Sequence, residues 1–257
     1  MKLTDPSLKP LEILEMLGTA DREGMGATTL AEKTGLSKST VHRLANALAD
    51  AGYVIRNDAT KKYKLGYRIL RVFSSLVNNI EIKEVARPYL EALSERTQET
   101  VHLVQTEGLY GVYVDKIDSP QPVGLLSQVG KRIMLHCTGA GKILFAYMPD
   151  EKRERVYAEV GLPKQTEHTI TDRKSMEREL ASIRQLGYGL DRIEAREGIC
   201  CIAAPIFNQS GQVIASFSIS GPSYRFSAAD AEALAGEIKI TSNRISRDLG
   251  FVSHSDE

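Results

Sequence analysis

Between Ala27 and Leu48 the apolar positions repeat as they do on two short helices joined by a tight turn at Gly35. Val41, Leu44, Ala45 and Leu48 fall at i, i+3, i+4 and i+7, the spacing of one buried helix face. Ser39, Arg43 and Asn46 then point the other way, Thr40 and His42 flank them, and Ser37 stands where an N-cap belongs. Upstream, Leu8–Leu17 is amphipathic through Leu11, Leu14 and Leu17 and supplies a first helix. Downstream, Ala51-Gly52 stops the second helix, and Tyr53–Arg56 and Lys62–Leu65 read as short strands around the turn residues Asn57-Asp58-Ala59-Thr60. Period-2 alternation sets Tyr63 and Leu65 on one face of this hairpin and Lys62 and Lys64 on the other.

The pattern then changes. Gly66–Ile80 returns to helical spacing through Ile69, Leu70, Phe73, Leu76 and Val77 and predicts a connecting helix, whose stripe must bury against the next domain or a second copy. Beyond Val85 the chain predicts a helix over Arg87–Thr97 and strands over Val101–Thr106, Gly111–Ile117, Val123–Val129, Gly198–Asn208 and Gln212–Ser220. Helices fall at Gly139–Met148, Asp150–Val160, Ser175–Leu186 and Ala228–Leu249, the last capped by Ser227. Strands and helices do not alternate strictly, so the expectation is an α+β fold with a mostly antiparallel sheet. The expected division is residues 1–66, a linker helix over 67–82, and a second domain over 83–257.

Composition narrows the function. A chain of 257 residues with 42% hydrophobic and 26% charged residues is long enough for two cores. It carries no apolar run of membrane-spanning length and no apolar signal core after MKLTDPSLKP, which predicts a cytoplasmic protein with no membrane partner. Three cysteines, two of them adjacent, do not make a disulfide framework. A formal net charge of zero excludes indiscriminate coating of nucleic acid, but the basic residues are clustered. Lys38 and Arg43 lie on the second helix, and Lys61, Lys62 and Lys64 on the hairpin. Lys38 stands just inside a helix start, where the dipole disfavours a cation unless an anion is near. The pattern is a winged helix-turn-helix for double-stranded DNA. Ser37, Lys38, Ser39, Thr40, Lys61 and Lys62 suit phosphates, while His42, Arg43 and Asn46 suit base edges in a major groove.

Three stretches of the second domain suit a ligand. In His136-Cys137-Thr138-Gly139-Ala140-Gly141-Lys142, Thr138 caps a helix whose opening amides, on Gly139 and Ala140, carry almost no side chain and can meet an anion. A Walker loop is excluded, because His136 and Ile143 stand where that motif needs Gly and Ser or Thr. In Val213–Ser220, Ile214, Ser216, Ser218 and Ser220 share a face, and short hydroxyls can donate to a carboxylate. In Gly198–Ile206, Cys200, Ile202, Ala204 and Ile206 form a core face, while Cys201 faces the other way. Asp191, in an expected loop over Gly187–Arg196, is a further candidate.

LSKSTVHRLANALADAGYV, HCTGAGKILFAYM, LDRIEAREGICCIAAPIF and ASFSISGPSYR, in that order, resemble the IclR family of bacterial transcriptional regulators, from about Leu8 to Leu249. The resemblance implies a winged helix-turn-helix domain, a linker helix and a GAF-like effector domain, with homodimers or homotetramers on palindromic operators. It implies no enzymatic activity and no cofactor, and small organic, sugar or aromatic acids as effectors. Carried over by position, the effector pocket falls on Gly139, Ala140, Asp191, Cys201, Ser218 and Ser220, with Leu125 and Ile199 as apolar wall and Pro122 where relatives place a larger apolar residue. Closure of the loop bearing Asp191 would then alter the spacing of two DNA-binding domains, in a repressor, an activator or both.

Two rivals follow from the same residues. An enzyme acting on a small organic acid through Cys201 or Asp191 would need an activating partner, and no His stands beside Cys201 in the sequence. A metal centre from His136, Cys137, Cys200 and Cys201 is disfavoured because adjacent strand residues face opposite ways. The expectation is therefore no catalytic and no metal-binding residues.

Overall fold

A computed structural model describes residues 6–72 and 82–252. The chain divides into two compact units, Met1–Ile80 and Glu81–Glu257.

In the first unit, α1 (Lys9–Gly18), α2 (Ala27–Thr34) and α3 (Lys38–Asp50) precede a hairpin of β1 (Val54–Arg56) and β2 (Tyr63–Leu65). Helix α2 ends at Gly35, whose φ of 73° reverses the chain without Cβ strain while its amide reaches Ala31 O at 2.8 Å. Helix α3 restarts two residues later, with Ser37 Oγ accepting from the Thr40 amide at 3.2 Å. The core comprises Ile13, Leu17, Leu30, Val41, Leu44, Ala45, Val54 and Tyr63. The buried stripe of α1 is thus Ile13 and Leu17, whereas Leu11, expected inside, is 48% exposed. Leu48 is half-buried.

Tyr63 and Leu65 do not share a buried environment as the alternation predicts: Tyr63 is fully buried and Leu65 is 36% exposed. The reason is a bridge. Met25 and Tyr63 exchange both backbone hydrogen bonds at 2.8 Å, which draws Tyr63 beneath the helices and leaves Leu65 beyond the bridge. Of the connecting helix expected over Gly66–Ile80, residues 68–72 are helical and those from 73 onward lie outside the described residues.

The second unit opens with α4 (Ile82–Thr97), which begins five residues before the expected Arg87 and carries Pro88 inside. Six antiparallel strands follow: β3 (Thr100–Glu107), β4 (Tyr110–Ile117), β5 (Arg132–Ile133), β6 (Gly189–Arg192), β7 (Ile199–Phe207) and β8 (Val213–Pro222), in the spatial order β5-β4-β3-β8-β7-β6. Two expectations fail here. Val123–Val129 is no strand; Lys116 Nζ takes the carbonyls of Leu125 and Ser127, both at 3.0 Å, and holds the segment as irregular chain. Nor is Gly187–Arg196 a plain loop, because Gly189–Arg192 pairs with Cys200–Ala203 as the edge strand β6.

Helices α5 (Gly139–Tyr147), α6 (Asp150–Arg155, continued by a π turn over Val156–Val160) and α7 (Arg173–Leu186) come between β5 and β6. After β8, the expected single helix is broken at Leu234 into α8 (Ala228–Ala233) and α9 (Ala235–Asp248). Helix α5 packs on β7 and β8, and its Ile143, Leu144 and Phe145 join Met176, Leu180 and Ile183 of α7 in one core. Helix α9 packs on β7 and α4 on β3. Strand β7 is accordingly buried from Cys200 to Ile206 on both faces.

The start of α5 has no spare room. A Cβ on Gly141 would collide with Thr138 Oγ1, Met134 O and Leu135 Cα, two of them backbone atoms that cannot step aside. We expect Gly141→Ala to destabilise the protein by ~2 kcal/mol, the cost of overpacking a closed site, in urea unfolding. Gly124→Ala, where a Cβ meets nothing within 4 Å, should leave the midpoint unchanged.

Candidate functional site

The first unit presents one basic face. Lys38, Ser39, Arg43 and Asn46 of α3 are exposed, Thr40 and His42 are half-buried, and on the hairpin Lys61 and Lys64 are exposed with Lys62 half-buried. Ser37 is committed to the helix start: besides its cap bond, its hydroxyl lies 3.0 Å from Ser39 Oγ and 2.8 Å from Thr40 Oγ1. At the hairpin tip, Asn57 Oδ1 accepts from the amides of Ala59 and Thr60, and Lys61 takes a left-handed φ of 56°. Tyr63 organises this face, a role that its place in the strand alternation does not reveal. Its hydroxyl donates to Asn46 Oδ1 at 3.2 Å and lies 3.1 Å from His42 Nδ1, so one buried phenol ties two side chains of α3 to the hairpin. Arg43, outside this relay, remains free to reach outward.

In the second unit, a cavity of about 340 Å³ lies between the sheet and the start of α5. All eight expected effector residues, Leu125, Gly139, Ala140, Asp191, Ile199, Cys201, Ser218 and Ser220, lie on its wall. The β6-β7-β8 register brings Asp191, Cys201 and Ser220 side by side, while Ser218 stands opposite Ala203. Gly139 closes on the same row, where a Cβ would stand 3.4 Å from those of Cys201 and Ala203. Thr138 Oγ1 accepts from the Gly141 amide at 3.1 Å. The amides of Gly139 and Ala140, which have no partner within the helix, are left to the cavity. Ser216, expected on the ligand face, instead donates to Ala140 O at 2.9 Å and clamps α5 to β8. Pro122 is exposed and takes no part in the wall.

The cavity also takes residues the sequence reading missed. His102 of β3 and Ser127 of the irregular segment line it, their Nε2 and Oγ 2.7 Å apart, and His102 Nδ1 lies 3.5 Å from Ser220 Oγ. Tyr113 stacks beside His102 with ring centroids 4.5 Å apart. Exposed Lys131 and Arg196 give the wall a cationic rim, while Arg132 beside them is paired with Glu107 at 2.6 Å. Only the strand register could have revealed His102, because it faces Ser218 and Lys116 across two ladders that sequence alone does not specify.

Burial sets the electrostatics. It raises the Asp191 carboxyl to about 7, against the stabilising amides of Glu194 at 2.6 Å and Ala195 at 3.4 Å on Oδ1. Burial, then Lys116, lowers His102 to about 3, so the imidazole is neutral. The Cys201 thiol, 3.8 Å from Asp191 Oδ2, is pushed up by burial and by Asp191; it is a protonated donor, not an activated nucleophile. Lys142 leaves the cavity altogether. Fully buried, it pairs with Glu194 at 2.6 Å and Glu179 at 2.8 Å behind the wall, joining α5 to α7 and to the turn after β6. Among the described residues no group of three His, Cys, Asp or Glu side chains is placed to hold a metal ion, and no helix is long and apolar enough to cross a membrane.

Known proteins share both units. Residues 9–58 match the IclR helix-turn-helix domain, and residues 74–247 match the C-terminal domain of the bacterial transcriptional regulator IclR. The chain is 34% identical over 244 residues to the HTH-type transcriptional regulator KdgR of Dickeya chrysanthemi, covering 95% of this chain and 79% of that protein. Among solved structures, IclR of Thermotoga maritima matches with a TM-score of 0.63 at 32% identity, over 95% of this chain and 98% of that one. The Agobacterium tumefaciens repressor BlcR matches with a TM-score of 0.84 at 26% identity, over 97% and 99%. With a helix-turn-helix unit and an effector-type C-terminal unit both accounted for, the chain belongs to the IclR family: it is a DNA-binding transcriptional regulator and not an enzyme.

Proposed function

We propose that this regulator binds a small organic acid in the cavity of its second unit and that the acid modulates its grip on operator DNA. The observation that carries the reading is the convergence of hydrogen-bond donors in one cavity. The Gly139 and Ala140 amides and the Ser218 and Ser220 hydroxyls line one cavity, with the Cys201 thiol beside them directed at Asp191 Oδ2, behind a rim of Lys131 and Arg196. Asp191 fits an anion despite being an acid, because its carboxyl holds a proton up to about pH 7 and can then donate. A volume of about 340 Å³ suits a small metabolite rather than a nucleotide.

On DNA, Arg43 reads base edges, and Lys38, Ser39, Thr40, Lys61 and Lys62 hold phosphates. Ser37 caps α3, and His42 and Asn46 hold it in register with the hairpin, their outward atoms meeting the duplex. A single α3 spans only a few base pairs, so the regulator works as a homo-oligomer, at least a dimer, on repeated half-sites. Because Asp191 lies in a paired strand, its movement as a free loop is not part of this account.

A thermal-shift screen of organic, sugar and aromatic acids should find an acid that raises the melting temperature of the wild type, with the shift lost in Ser218→Ala/Ser220→Ala. A panel without a hit, on folded protein that binds DNA, would count against an acid effector. Binding of that acid should tighten as pH falls from 8 to 6, since protonation of Asp191 removes a negative charge beside the anion. Asp191→Asn should flatten the profile, and an unchanged slope in calorimetric titrations would show that another group titrates. On DNA, Arg43→Ala should weaken binding to the operator by roughly ten-fold or more and relax base preference, whereas Lys62→Ala should weaken all sequences alike and lower the salt slope by about one. Equal losses on operator and random duplexes for Arg43→Ala would remove it from base readout.

A further inference from the structure

Lys116, His102, Ser218 and Ala203 are successive partners across β4, β3, β8 and β7, so their side chains occupy one face of the sheet. The adjoining row on that face is Thr100, Ser220, Cys201 and Asp191. His102, only 2% exposed, is engaged at both ring nitrogens, with Ser127 Oγ 2.7 Å from Nε2 and Ser220 Oγ 3.5 Å from Nδ1. A neutral imidazole has one N–H and one lone pair, so it must donate on one side and accept on the other.

Two observations choose the direction. Lys116 Nζ binds the carbonyls of Leu125 and Ser127 and pairs with the largely exposed Asp118 at 2.6 Å, so the cation stands on the Ser127 side of the ring, where it favours a bare lone pair over an N–H and its carboxylate partner opposes it more weakly. The 2.7 Å contact also fits a hydroxyl donor, for which it is a usual length, and stands at the short edge of the N–H···O range. Ser127 therefore donates to Nε2, and the ring proton sits on Nδ1, directed at Ser220.

We propose that His102 is a positioning residue that sets the preference of the cavity for anions: its Nδ1–H donates to Ser220 Oγ, so that Ser220 donates onward to Ser218 Oγ and the Ser218 hydrogen turns into the cavity as a donor. The Ser220 and Ser218 oxygens lie 3.4 Å apart, close enough for the polarity to pass along the pair. The opposite tautomer would take the Ser220 hydrogen for itself and present lone pairs, a surface for a neutral donor. This role deepens the acid-effector reading and rests on it. Neither Ser218 nor Ser220 can set its own direction, because a hydroxyl rotates to suit its neighbour; the ring, held by Ser127 and packed on Tyr113, cannot rotate in that way.

Long-range proton–nitrogen NMR on full-length protein labelled with ¹⁵N-histidine reads the tautomer with no ligand present, and His102→Asn identifies the His102 signals by their absence. We expect a protonated Nδ1 and a bare Nε2 near neutral pH; a proton on Nε2 overturns the proposal. Acetate, the minimal carboxylate, and uncharged acetamide are then titrated as probes. Acetate should shift the His102 Nδ1 signal and bind at least ten-fold more tightly than acetamide. His102→Asn, which keeps an N–H near the Nδ1 position, should retain that preference, and His102→Leu should lose it. Equal or absent responses to the two probes overturn the role in selectivity. An Nε2–H tautomer in a protein that still finds an acid in the thermal-shift screen would sink the His102 role alone. An Nδ1–H tautomer with no acid bound would instead sink the effector reading.

Discussion

The second unit depends on one close approach, the first turn of α5 lying flat on β7 and β8. Gly139, Ala140 and Gly141 make it possible, because a Cβ on Gly141 would strike Thr138 and the chain before the helix, and one on Gly139 would already touch Cys201 and Ala203. Ser216 then fastens the turn from the sheet side through Ala140 O, and Lys142 fastens it from behind through Glu179 and Glu194. A buried ion pair of this kind contributes little net stability but is costly to break on one side, so it holds α5 in one place more than it strengthens the fold. With the turn fixed, two helix amides and a row of short polar side chains share a small space from which bulk is excluded. Closeness and polarity are one constraint here: the residues small enough to allow contact are those that leave the amides bare.

The first unit uses a comparable device on a smaller scale. Tyr63 is buried because Met25 bridges it, and its hydroxyl then serves as the fixed point for His42 and Asn46. A hairpin of three-residue strands is weak alone. Tying it to the core through one phenol gives the basic tip a defined position beside α3. In both units a buried polar ring, Tyr63 or His102, lies against the exposed or cavity-facing groups around it.

Much of this was legible in the sequence wherever a local rule operates. The cap at Ser37, the tight turn at Gly35 and the capped α5 start at Thr138 are properties of a few neighbouring residues, and each is found as expected. What escaped depends on pairing between distant segments. Asp191 reads as a loop residue until β7 supplies its partner Cys201, Val123–Val129 has strand composition but is taken up by Lys116, and Leu65 fails to bury because the Met25 bridge stops at Tyr63. His102 is invisible for the same reason. A lone His in an apolar strand acquires meaning only when β4 and β8 place Lys116 and Ser218 on either side of it.

A regulator of this design must link the cavity to the DNA-binding face, and linkage requires that each ligand change the affinity for the other by the same factor. The most direct test is a titration of operator DNA by the intact protein, without the acid and then with the acid at saturation. The account predicts a shift in operator affinity of roughly five-fold or more, the lower end of ordinary allosteric coupling, with acid affinity changed by the same factor when operator is bound. Identical operator affinity in the two titrations, with calorimetry showing the cavity filled, would contradict it.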